Sequence, residues 1–231
     1  MTLAPSSHLA RLVTARRMLA LALIAALGAC SGPPTPAVDA GPDSGWDGVP
    51  GSIELLPPDT EGPGYPIDGL TLEIQSIRLV GDRGPEYDAV TAAPVGDVGV
   101  GATEVEIPVG EALPAVYSAV VLELGRGDGT PALELTATPS SGPPVHLVTT
   151  SPITLDARCE HGAIVNTTDS VSIGVDLALG EPLRAALACA LPAADATGVI
   201  QANETTAPAA IAAFRDELME HVHSECGPDT I

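Results

Sequence analysis

The sequence predicts a mainly β protein: an antiparallel β-sandwich carrying a short C-terminal α-helical appendage. Three observations predict it. Between residues 51 and 179, apolar residues recur at every second position in short runs separated by Gly and Pro, as half-buried strands require. After Gly180 the apolar spacing becomes helical. Seven or more strands with one apolar face each need a second sheet to cover them, and a body of roughly 130 residues is a normal single domain.

Residues 1–29 read as a signal peptide. Arg11, Arg16 and Arg17 precede an apolar run from Met18 to Leu27, which small residues follow. That run is too short to span a bilayer as a helix. It ends in Leu27-Gly28-Ala29-Cys30, which resembles the lipobox of bacterial lipoproteins. The resemblance implies a cut before Cys30 and acylation of its thiol, so that Cys30 becomes a lipidated N-terminus. Ser31 behind it implies the outer membrane, with the body periplasmic or surface-exposed. An ordinary cleavage site with an unmodified Cys is the alternative. Cut there, the chain keeps all 30 acidic residues against six Arg, a net charge of −24. Acyl chains, at about 0.8 kcal/mol per buried CH₂, anchor such a protein without a spanning segment.

Residues 30–50 read as a disordered linker. From Ser31 to Pro50, nine of twenty residues are Gly or Pro, too little apolar surface to offset the entropy of ordering. Asp39, Asp43 and Asp47 recur within it, but the alternating ligands and closing Glu of a calcium loop are absent, leaving an acidic spacer.

The sandwich is expected over residues 51–179. Leu70, Leu72 and Ile74 share a face, and Ile77 and Leu79 resume out of phase, which predicts a bulge near Ser76. Val105, Ile107 and Val109 alternate with Glu104 and Glu106, whose carboxylates belong to an exposed face. Val120, Leu122 and Leu124 follow, then Leu133 with Leu135, and Ile153, Leu155 and Ala157. Val171, Ile173, Val175 and Leu177 form the cleanest run. The segments Leu70–Leu79, Leu113–Leu122 and Ser170–Leu177 together resemble a group of bacterial lipoproteins, of unassigned role, built on an immunoglobulin-like or prealbumin-like sandwich. The resemblance implies a periplasmic or surface domain and lends no catalytic residue.

Residues 180–231 are expected to form a helical tail packed on the sandwich. Glu181 to Ala190 is rich in Ala and Leu, with Pro182 suited to a first turn. Gly198 to Gln201 adds an extended piece. Pro208 opens a second helix that places Ile211, Phe214, Leu218 and Val222 on one face.

With Cys30 lipidated, Cys159, Cys189 and Cys226 remain, and export permits disulfides among them. The sequence favours Cys189 with Cys226, each read as ending a tail helix; Cys159 with Cys189 is the rival. A sharper arrangement gathers Cys159, His161, His221 and His223, with Cys226, into a soft site for copper or zinc. On a continuous helix, however, His221 and His223 point about 200° apart and cannot share an ion.

Composition excludes other chemistry. The chain has no Lys, hence no phosphate-loop lysine and no Schiff base. Its charge repels nucleic acid, and one Trp, one Phe and three Tyr provide little stacking surface. Neither a Gly-x-Ser-x-Gly elbow nor a His-Glu-x-x-His helix occurs. The expectation is a non-enzymatic, lipid-anchored envelope protein with no cofactor, serving a structural, adhesive or ligand-binding role. Its partners would be the membrane, an envelope protein and divalent cations gathered by its charge; a copper- or zinc-binding lipoprotein is the alternative.

Overall fold

The computed structural model describes residues 47–58, 66–165 and 170–226. The expected signal peptide, Cys30 and most of the 30–50 linker lie outside the described residues. Ten strands come first: β1 (Val49–Leu55), β2 (Ile67–Gly81), β3 (Ala89–Val90), β4 (Gly96–Val100), β5 (Val105–Ala112), β6 (Val116–Leu124), β7 (Leu133–Ala137), β8 (Val145–Thr149), β9 (Ile153–Ile164) and β10 (Val171–Leu177). Then follow α1 (Gly180–Leu187), β11 (Ile200–Ala202), α2 (Pro208–Glu220) and β12 (Val222–Glu225). None of the helices among the described residues is long and apolar enough to cross a membrane.

The strands form two sheets, so the mainly β, sandwich-like expectation holds. The smaller sheet has hydrogen-bonded order β12-β10-β1-β5, and the larger runs β11-β8-β7-β2-β6-β9, with β3 and β4 also paired to β2. The expectation of an antiparallel sandwich is corrected at two places: β1 pairs parallel with β10, and β11 parallel with β8. Both pairs join strands far apart in sequence, where long connections allow the chain to re-enter in the same direction. Alternation fills the space between the sheets. Ile53, Leu55, Ile173 and Val175 from one sheet share a single apolar cluster with Leu72, Ile74, Ile77, Leu79 and Leu122 from the other. Each side chain in this set is fully buried.

Strand β2 organises the larger sheet. Its register against β6 shifts between Ile74 and Ser76, the bulge that the change of phase predicts. The backbone N–H of Glu73 donates to Ala132 O, and its carbonyl accepts from Gly125 N–H. Because N–H and C=O of one strand residue face the same edge, β6 and β7 lie end to end along that edge of β2. Residues 125–131 leave the sheet between them. In the next rank, β8 and β9 are likewise interrupted at 150–152.

The carboxylate of Glu204 closes that second interruption. Its Oε1 accepts from Thr149 Oγ1 at 2.7 Å and from the N–H groups of Thr150 and Ser151 at 2.7 and 3.1 Å. Burial pushes this carboxyl up, but the donors from Thr149, its own backbone, Ser151 and Thr150 together hold it below its ordinary value. Within the core, the fully buried Tyr117 sets its hydroxyl 2.9 Å from Tyr87 O and 3.0 Å from Leu113 O. Burial is the main cause that pushes its phenol up to about 12; the bond to Leu113 opposes it, and the charges of Asp88 and Asp82 add to it.

The tail is only partly helical. Helix α1 starts at Gly180 with Pro182 in its first turn, and α2 buries Ile211, Phe214 and Leu218. The helices pack on each other, and α2 also touches β8 and β9. But α2 ends at Glu220, so Val222 lies on β12, hydrogen-bonded to β10 in the smaller sheet, while β11 extends the larger one. The tail therefore contributes a strand to each sheet. At the other end β1 begins at Val49, inside the stretch read as linker.

Candidate functional site

The structure redistributes the Cys and His residues that the sequence singles out. Cys159 on β9 is bonded to Cys226, which follows β12, with Cα atoms 5.5 Å apart across 67 residues of sequence. The expected Cys189–Cys226 pairing is corrected, and so is its rival: Cys189 is a free thiol. Cys226 does not end a helix. Strand β12 carries it to the edge of the smaller sheet, beside β9, where Ser224 Oγ lies 3.4 Å from Cys159 Sγ. Cys189 instead stays with the helices, its Sγ 3.5 Å from Ala185 O and 3.7 Å from Ala209 O.

The soft-metal arrangement does not assemble. Its two thiols are consumed by the disulfide, which removes the thiolates such a site needs. His161 is exposed on β9, and His223 is exposed on β12 in register with Asp176. His221 caps α2, with Nδ1 2.9 Å from Glu217 O and 3.5 Å from a Glu217 carboxylate oxygen. Among the described residues, no group of three His, Cys, Asp or Glu side chains is placed to hold a metal ion.

The best-built polar site lies where the chain leaves the larger sheet. Glu73 alternates with the inward Leu72 and Ile74, so its side chain faces outward, yet only 5% of it is exposed. The covering comes from the excursion after β6. Gly125 adopts a positive φ of 80°, and a Cβ there would stand 2.5 Å from Ala132 Cβ; only glycine fits this pinch. The next residue, Arg126, lies over Glu73 and donates from Nε to Oε1 at 2.5 Å, while Gln75 Nε2 donates to the same oxygen at 2.6 Å. The hydrogen bond to Glu73, then its charge, raises the Arg126 guanidinium above its ordinary value. Asp128 is tied to the Thr130 hydroxyl at 2.6 Å and N–H at 3.0 Å, which hold its carboxyl below the usual range and shape the turn.

These residues border a cleft of about 350 Å³ lined by Thr71, Glu73, Asp97, Arg126, Thr130, Pro131 and Glu134. Asp97 comes from β4, directly across from Glu73 in register, and Glu134 from β7, across from Thr71. Three carboxylates thus face one guanidinium. Oε2 of Glu73 is buried and has no hydrogen-bond partner among the described residues. At the rim, Glu134 lies 3.6 Å from His146 Nε2, and His146 Nδ1 is 2.9 Å from Gln201 Oε1. Gln201 in turn donates to Asp195 at 3.1 Å. The Thr197 hydroxyl, the Val199 N–H and Gln201 hold that carboxyl down at about 2.

Sequence reading missed this cleft. Glu73 sits between Thr71 and Gln75 on an outward face and reads as solvated. The available signal was Arg126, one of only six Arg after residue 29, within Gly125-Arg126-Gly127-Asp128-Gly129 directly after an apolar strand.

Comparison with known proteins yields no match to a protein family, to a curated protein or to a solved structure.

Proposed function

We propose that this chain is an exported, lipid-anchored envelope protein whose β-sandwich is a non-enzymatic binding or structural module. The observation that carries the reading is the Cys159–Cys226 disulfide between the outer strands of the two sheets. Such bonds persist in oxidising compartments, outside the cytoplasm of most cells. The basic and apolar leader ending in Leu27-Gly28-Ala29-Cys30 supplies the route and the anchor. An immunoglobulin-like or prealbumin-like class is the finer reading of the sandwich. Tyr117 supports it, since its hydroxyl meets a carbonyl four residues upstream, as in the tyrosine corner of such folds.

Fractionation of cells expressing the wild type and Cys30→Ser tests the proposal. The wild type is expected in the membrane fraction and labelled by fatty acid, and the variant in the soluble exported fraction without label. A Cys30→Ser protein that stays in the membrane overturns the anchor, and a wild type recovered from the cytoplasm with reduced Cys159 and Cys226 overturns export.

A further inference from the structure

We infer that the Glu73 cleft is a binding site for an organic cation, a primary ammonium. The inference stands on the geometry of the larger sheet and does not depend on the lipid anchor. Its centre is a carboxylate that is 5% exposed, with one oxygen doubly bonded by donors and the other, Oε2, buried without one among the described residues. A buried carboxylate oxygen left without a donor is costly, so the site favours a ligand that brings an N–H. Asp97 and Glu134 add negative charge at the mouth, against Arg126 as the single positive side chain of the lining.

The same geometry selects the kind of cation. A metal ion needs several ligands converging on one point, and no group of three candidate side chains does so among the described residues. Carboxylates spread around about 350 Å³ suit instead a polyatomic cation whose N–H groups diverge. Arg126 shows the carboxylate accepting a charged N–H donor, and it does so from an excursion, with 53% of its side chain exposed. With the exposed Arg126 side chain displaced, an incoming cation would take the buried Oε2 and be flanked by Asp97 and Glu134. The chain contains no Lys, so a lysine ammonium in this cleft comes from another molecule.

Two sources share this chemistry: a free amine and a Lys side chain on a partner polypeptide. Titration of the isotope-labelled full-length chain followed by amide shifts separates them, with putrescine in one arm and a capped Ala-Lys-Ala peptide in the other. The same peptide bearing Nε-acetyl-lysine is the control. Saturable shifts confined to 71–75, 97 and 126–134, absent with acetyl-lysine, are expected from at least one arm, and the tighter arm identifies the source. Glu73→Gln should weaken binding about tenfold, the worth of one charge-assisted hydrogen bond. Should that variant not fold, the exposed-rim variants Asp97→Asn and Glu134→Gln carry the test with losses of several fold. Glu111→Gln, on the smaller sheet, should leave binding unchanged. Absence of saturable shifts in both arms, or equal losses in Glu111→Gln and the rim variants, overturns the site.

Discussion

Cys159 and Cys226 are bonded across the boundary between the two sheets, one on β9 and the other just beyond β12, although 67 residues separate them. The bond ties the end of the described chain to an outer strand of the larger sheet, so it constrains the whole tail.

In the chain-entropy model, closing a loop of that length contributes about 4 kcal/mol. Cys226→Ser, or reduction of the wild type, should lower the urea midpoint accordingly, and Cys189→Ser should leave it nearly unchanged. Peptide mapping without reductant should recover Cys159 linked to Cys226. A peptide joining Cys189 to either of them contradicts the assignment.

Tyr117→Phe removes the hydroxyl that meets Tyr87 O and Leu113 O in the core. The expected cost is about 1–3 kcal/mol, the net worth of the two hydrogen bonds lost. Burial pushes the folded phenol from the ordinary 10.0 up to about 12, so its contribution is complete below about pH 10 and is lost as pH rises toward 12. Wild-type stability should therefore fall across that interval more steeply than that of the Phe variant, as urea unfolding at pH 9 and pH 11.5 will show (both values flanking about pH 10). Parallel slopes would mean that the phenol is not sequestered.

Glu204→Ala deprives the Thr149 hydroxyl and the Thr150 and Ser151 N–H groups of their shared acceptor. A loss of about 1–3 kcal/mol is expected, and Glu204→Gln, which keeps an acceptor oxygen, should lose less. Because the folded carboxyl lies below the unfolded value of 4.5, its contribution is present above that value and disappears as pH falls through the folded one. The stability gap between wild type and Glu204→Gln should accordingly close in acid. A gap that widens on acidification reverses the sign and excludes the role.

How much was readable before folding depended on whether a signal was local. The alternation at 70–74, 105–109, 120–124, 133–135, 153–157 and 171–177 lies within strands of the structure, because a half-buried strand must alternate. Short or less regular strands escaped: β1, β3, β4 and β8 have few apolar residues or sit among Gly and Pro. Val222 illustrates the limit. Its spacing from Leu218 suits a helix face, yet α2 stops at Glu220 and Val222 is buried instead on β12. The same turn moved His221, His223 and Cys226 off the helix, and with them the premises of the expected disulfide and metal site.

The sequence by itself determined the mainly β character, the bulge beside Ser76 and the two tail helices, since each follows from periodicity and backbone preference within a few residues. Only the tertiary structure decided that β1 and β10 run parallel, that Cys226 meets Cys159, and that Glu73 is buried. Those outcomes require segments tens of residues apart to come together. Glu73 is hidden by a loop more than fifty residues downstream, and no pattern around Glu73 itself records what will fold over it.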